Sequence, residues 1–190
     1  MCGFIGQAGS EKINESSLIQ GLAEIEHRGP NETKYQINAN WALGFNRLRI
    51  LDLSSHGSQP MSNLNKDLTI TFNGEIYNFL DLRKDLESSG YVLNGGSDTE
   101  VLLNYYNYVN RDIVSLLNKC NGMFAFSIID TNKKKLFIAR DRLGVKPLFY
   151  SKTKNSIFFS SEIKALKKIL PNLPTLSKEA VLAYLKLGFV

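Results

Sequence analysis

The chain is poor in the residues that most often announce chemistry. Its 190 residues contain two histidines, His27 and His56, and two cysteines, Cys2 and Cys120, with no CxxC pair. That inventory excludes a disulfide framework and a cysteine-based zinc site, so no metal is expected. Three strings are missing as well: the GxSxG elbow, the HExxH helix and the GxxxxGKS/T phosphate loop. Serine-triad, zinc-protease and P-loop chemistry lose their support with them. No charged leader precedes an apolar stretch, and no apolar run approaches the ~18 residues of a membrane span. The cytosol is the expected compartment, and no membrane partner is expected. The net charge of +5 is dispersed, its one concentrated run being Lys133-Lys134-Lys135 between two apolar segments. Without a basic stripe carrying aromatics, no nucleic-acid partner is expected either.

What is present suits a soluble globular domain with one sizeable core, or one domain and a fragment of another. A short strand is expected at 2–6. A helix is expected over 14–27, where Leu18, Ile19, Leu22 and Ile25 recur at helical spacing before the Gly29-Pro30 stop. Strands are expected at 34–39, 41–46 and 68–73, then helices at 79–89, 98–109 and 111–119. Four strands follow at 123–130, 135–140, 147–151 and 156–160, separated by turn signals and read as one antiparallel meander. Two strand-rich blocks around central helices imply an α+β fold of stacked sheets with helices packed against them. Beyond the linker-like Pro171-Asn172-Leu173-Pro174, Ser177 caps a last helix that runs into an apolar end, Gly188-Phe189-Val190. This end is expected to be the beginning of a second domain near residue 176; a helix docked on its own domain is the alternative.

Cys2 is the first candidate for chemistry. Without Met1 it carries a thiol and a free α-amine on one residue, and an α-amine of pKa near ~7.7–8.0 can serve as base at neutral pH. A buried hydrophobe near a chain end is the other reading, and pairing with His56 a third. In Asn46-Arg47-Leu48-Arg49-Ile50-Leu51-Asp52, Arg47 can grip a carboxylate bidentately or form a surface ion pair with Asp52. In Phe72-Asn73-Gly74-Glu75-Ile76-Tyr77-Asn78, the Asn-Gly pair makes a tight turn or offers a side-chain amide and a backbone N–H to one oxyanion. Gly95-Gly96-Ser97-Asp98-Thr99-Glu100 opens a helix, with Asp98 complementing its dipole or serving a ligand. His27 is expected to be structural.

Seven strings stand in register: Met1-Cys2-Gly3-Phe4-Ile5-Gly6, His27-Arg28-Gly29-Pro30, Arg47 to Asp52, Gln59-Pro60, Phe72 to Asn78, Gly96 to Glu100, and Arg140-Asp141-Arg142-Leu143-Gly144-Val145-Lys146-Pro147-Leu148-Phe149-Tyr150. Together they resemble the N-terminal glutaminase domain of glutamine-dependent asparagine synthetase over residues 2–165. That family is a class II glutamine amidotransferase with the N-terminal-nucleophile hydrolase fold, a four-layer αββα sandwich of two stacked antiparallel sheets. The resemblance implies a glutaminase domain at 2–170, and at 171–190 a linker with the first helix of a truncated synthetase domain. It implies Cys2, Asn73 and Gly74 as catalytic, with Arg47, Ile50, Leu51, Glu75 and Asp98 binding substrate. No cofactor is implied for this domain, while ATP and magnesium are implied for the synthetase domain. The implied partners are L-glutamine and that synthetase domain in cis, with a homodimer left open.

Two positions depart from the family's pattern: Asn31 follows the proline where aspartate is usual, and Asn46 precedes Arg47 where histidine is frequent. Neither is a proposed catalytic group. The acceptor of the ammonia is expected to be aspartate, with sugar or peptide carboxylates, phosphosugars or a degenerate binding module as alternatives. The Arg140 to Tyr150 stretch is the candidate meeting place of the two domains.

Overall fold

The computed structural model describes residues 1–188; Phe189 and Val190, which complete the apolar end, lie outside the described residues. In chain order the elements are β1 (Gly3–Gly9), α1 (Glu15–Glu24), β2 (Glu32–Ile37), β3 (Trp41–Arg47), β4 (Met61–Ser62) and β5 (Leu68–Ile76). Three helices follow, α2 (Phe79–Ser88), α3 (Asp98–Tyr108) and α4 (Ile113–Lys119). Then come β6 (Gly122–Asp130), β7 (Lys135–Arg140), β8 (Phe149–Lys152), β9 (Ser156–Ser160), α5 (Ile163–Ile169) and α6 (Lys178–Leu187). The strands form two antiparallel sheets, one of order β2-β3-β1-β9-β8 and one of order β4-β5-β6-β7.

Period-2 alternation builds the layers. In the first sheet Phe4, Leu43, Phe45 and Phe159 point toward the second sheet and meet Ala125 and Ile129 of β6. Their neighbours Ile5, Ala42 and Phe158 point the other way, onto Leu18 and Leu22 of α1 and Ala165 and Ile169 of α5. In the second sheet Leu68, Ile70, Phe72, Phe124, Phe126 and Ile128 face outward onto α2, α3 and α4. The result is four layers, helix–sheet–sheet–helix. β1 lies at the centre of its sheet, hydrogen-bonded on both sides, so the start of the chain is fixed rather than frayed.

Three expectations are corrected. The four late strands are not one meander: β6 and β7 pair in the second sheet, β8 and β9 in the first. The segment between them is no tight turn, because Asp141 gathers it by accepting from the N–H groups of Leu143, Val145, Lys146 and Phe124. The Asn73-Gly74 pair makes no turn either, since β5 runs straight through it to Ile76. Helix α5 has no counterpart among the expected elements, although Ala165, Leu166 and Ile169 are buried at helical spacing between exposed lysines. Helix α6 has no buried residue among the described residues.

Candidate active site

Strand β1 carries Cys2 to the rim of the layer between the sheets, where it packs against the inter-sheet cluster. The main chain there is held from several directions. Arg28 Nε donates to the Cys2 carbonyl at 3.0 Å while its Nη1 donates to Glu162 at 3.0 Å. The Phe4 N–H donates to Ser161 Oγ at 3.0 Å, and Ser160 Oγ donates to the Phe4 carbonyl at 3.1 Å. The Cys2 sulfur accepts from the Leu48 N–H at 3.3 Å. Burial pushes the thiol pKa up, against the lowering effects of the Leu48 N–H, the terminal ammonium and Arg47, and Asp98 adds to the rise. A thiol so placed stays protonated at neutral pH and needs a base to become a nucleophile.

Strand β5 supplies an open edge opposite. On one side it pairs with β6 along its full length, while β4 reaches only Thr69 and Ile70 among the described residues. Successive residues of an antiparallel strand direct their N–H groups to opposite sides. The Phe72 N–H goes to Gln59 Oε1 at 2.6 Å and the Ile76 N–H to Asp98 Oδ2 at 3.1 Å, both away from β6. Gly74, two residues from each, therefore presents its N–H on the same open edge. A Cβ at Gly74 would stand 2.4 Å from the Met123 carbonyl and 2.7 Å from Phe124 Cα, so a side chain is excluded there. Asn73 is 2% exposed, and its side chain faces the inter-sheet layer, opposite to Phe72. Its Nδ2 has no hydrogen-bond partner among the described residues. A buried donor without an acceptor costs about 1–3 kcal/mol, so this amide is available to an acceptor such as a water molecule or a ligand.

One cleft is lined by Cys2, Arg47, Leu48, Ile50, Leu51, Gly74, Glu75 and Asp98. Of the catalytic and substrate-binding residues implied by the resemblance, only Asn73, which is buried, is not among those that line the cleft. Arg47 is buried, with Nη1 donating to Ser54 O at 2.8 Å, Nη2 donating to Asp52 O, and Glu32 Oε2 at 3.6 Å. Gly57 makes room for it, since a Cβ there would lie 2.1 Å from Nη2. The surface ion pair with Asp52 does not form: that carboxylate accepts instead from Ser54 and from the Gly96 N–H. Asp98 opens α3, but the cap is Ser97, whose Oγ accepts from the Glu100 N–H at 3.2 Å. Burial pushes the Asp98 carboxyl up to about 6; neighbouring Glu75 adds to the rise, and the Ile76 and Thr99 N–H groups oppose it.

The cleft thus sets one buried cation, Arg47, and three carboxylates, Asp52, Glu75 and Asp98, beside a thiol whose pKa burial raises, a charge set that can receive both ends of a zwitterionic amino acid. His56 lies outside it, and His27 binds Glu162 at 2.9 Å. Among the described residues no cluster of three or more His, Cys, Asp or Glu is arranged to hold a metal ion. Three contributions escape sequence reasoning: the Leu48 N–H on the sulfur, Arg28 on the Cys2 carbonyl, and Gln59 on Phe72. The first is a main-chain contact with no residue signature; the other two sit in strings that carry the family resemblance but imply no role of their own.

Comparison with known proteins agrees with this geometry. A family model described as a glutamine amidotransferase domain matches residues 1–190. Glutamine-hydrolysing asparagine synthetase 1 of Bacillus subtilis is 39% identical over 195 residues, covering 100% of this chain and 30% of the relative. Glutamine-hydrolysing asparagine synthetase 3 of Arabidopsis thaliana is 36% identical over 170 residues, covering 87% of this chain and 28% of the relative. The chain spans about a third of the length of these relatives. Among solved structures, the glutamine phosphoribosylpyrophosphate amidotransferase of B. subtilis superposes with a TM-score of 0.72 at 21% identity, over 88% of this chain and 43% of that one. That likeness shows the shared fold.

Proposed function

The chain belongs to the glutamine amidotransferase family, and on that premise we propose that it hydrolyses the side-chain amide of L-glutamine through a thioester on Cys2. The single observation that carries the mechanism is the buried, unpartnered amide of Asn73 beside Gly74, on the strand that faces the cysteine. Removal of Met1, which is 57% exposed, frees the α-amine of Cys2. That amine takes the thiol proton, through a water molecule, as the sulfur attacks the amide carbon. The carbonyl oxygen becomes an oxyanion held by Asn73 Nδ2 and the Gly74 N–H. The C–N bond then breaks, the amine returns the proton to the departing nitrogen, and ammonia leaves. Water, deprotonated by the same amine, attacks the thioester; the C–S bond breaks, the sulfur regains its proton and glutamate is released. Arg47 holds the substrate α-carboxylate, and Asp98 with Glu75 receives its α-ammonium, while Ile50 and Leu51 border the cleft.

Within a longer protein, residues 171–188 would lead to an ATP- and magnesium-dependent ligase domain that uses the ammonia, with aspartate as acceptor and asparagine as product. The identity to asparagine synthetases supports that acceptor, and α6, with no buried residue among the described residues, supports a further packing partner in cis. The test is ammonia release from glutamine by the chain with Cys2 as its first residue. We expect turnover that disappears in Cys2→Ala with the fold retained. Sustained turnover by that variant would refute the assignment.

A further inference from the structure

The Gln59-Pro60 string has no part in the mechanism above, yet Gln59 is nearly fully buried and both of its side-chain polar atoms are engaged at the site. Its Oε1 accepts from the Phe72 N–H at 2.6 Å, and its Nε2 donates to the Phe72 carbonyl at 3.2 Å. The same Nε2 donates to Thr99 Oγ1 at 3.2 Å. A carboxamide that accepts from one residue's N–H and donates to its C=O does what a neighbouring strand would do. The β4 strand stops short of Phe72, so at this point the side chain of Gln59 stands in for a strand on the open edge of β5.

What it fixes is specific. Phe72 immediately precedes Asn73 and Gly74, the two oxyanion donors. Thr99 immediately follows Asp98, the carboxylate for the substrate ammonium. One side chain therefore ties the strand that stabilises the reacting carbonyl to the helix start that grips the far end of the substrate. A real strand at this place would consume the Gly74 N–H as well; a single carboxamide satisfies Phe72 and leaves the next outward N–H free. We propose that Gln59 is a positioning residue that sets the register between the oxyanion donors and the α-ammonium site, an inference that rests on the glutaminase reading of the cleft.

The experiment is a double-mutant cycle of Gln59→Met and Thr99→Val in the full chain, with ammonia release measured from glutamine and from glutaramic acid, which lacks the α-ammonium. Gln59→Met is expected to lower kcat by roughly 10- to 100-fold, the scale of a misplacement near 1 Å. It should also raise KM and shrink the preference for glutamine over glutaramic acid. Thr99→Val, which cuts only the link to α3, should raise KM and shrink that preference with a smaller change in kcat. The double variant should be no worse than Gln59→Met alone, since both remove one connection. A merely structural role would lower thermal stability and leave the preference ratio at its wild-type value. Two results overturn the proposal: a wild-type preference ratio in Thr99→Val, or fully additive effects in the double variant. Thr99→Val alone decides the matter if Gln59→Met fails to fold. A wild-type chain with no glutaminase activity would instead refute the reading of the cleft, so the two failures are distinguishable.

Discussion

Replacing Asn73 by leucine should separate activity from stability in opposite directions. Leucine has nearly the shape of asparagine but no donor, so it removes one of the two groups aimed at the oxyanion while filling the same buried space. Losing one such donor lowers kcat by about 10²–10³, or about 2.7–4 kcal/mol of barrier. The ground-state amide oxygen relies on it less, so KM for glutamine should change little. Stability runs the other way. The folded resting chain bears the desolvation of Asn73 Nδ2 with no partner among the described residues, a penalty of about 1–3 kcal/mol. Leucine removes that penalty, against the strain of fitting two methyl groups where the amide oxygen and nitrogen now pack. The expected midpoint of thermal unfolding is unchanged or a few degrees higher, at roughly 2–4 °C per kcal/mol for a chain of this size. Ammonia release and a thermal melt on the same sample measure both. A variant that keeps kcat within a few-fold, or that melts well below the wild type, would refute the reasoning.

Two further outcomes follow from the substrate clamp. Asp98 must be ionised to receive an ammonium group, and burial holds its carboxyl near 6, so KM for glutamine should rise by about tenfold per pH unit below that value. Asp98→Asn should raise KM and remove that inflection; an inflection near 6 surviving in the variant would assign it to another group. The same shift has a stability sign. Between the ordinary carboxylate value and about 6 the folded chain binds more protons than the unfolded one, so this group adds stability as pH falls through that window. Gly57→Ala should act through Arg47: the added methyl would stand 2.1 Å from Nη2, displacing the guanidinium and raising KM with a smaller change in kcat. An unaltered KM in a folded Gly57→Ala variant would show that Arg47 does not hold the substrate.

The parts of this molecule written in single residues are legible in the sequence. Cys2, Arg47 and Asp98 are candidates from their own residue chemistry, each beside a plainer reading, and Glu75 enters through the family resemblance; the structure places all four in one cleft. The Asn73-Gly74 pair stays open between turn and oxyanion donor, because its local chemistry is the same in both. Only the pairing of β5 with β6 through Ile76 excludes the turn. The meander fails for a related reason: turn residues mark where strands end, not which sheet they join. At Asp141 a carboxylate that collects main-chain donors turns an apparent hairpin into a passage from one sheet to the other. Gln59 shows no role in the sequence, since a side chain that substitutes for a strand is visible only once the missing strand is.

Everything in the mechanism passes through one covalent bond at Cys2, and that bond can be weighed. The chain turning over glutamine, quenched in acid and digested, should yield an N-terminal peptide that begins at Cys2 without Met1 and carries one glutamyl group on sulfur, lost on treatment with hydroxylamine. Turnover with an unmodified Cys2 peptide under rapid quench, or with Met1 still attached, would contradict the account.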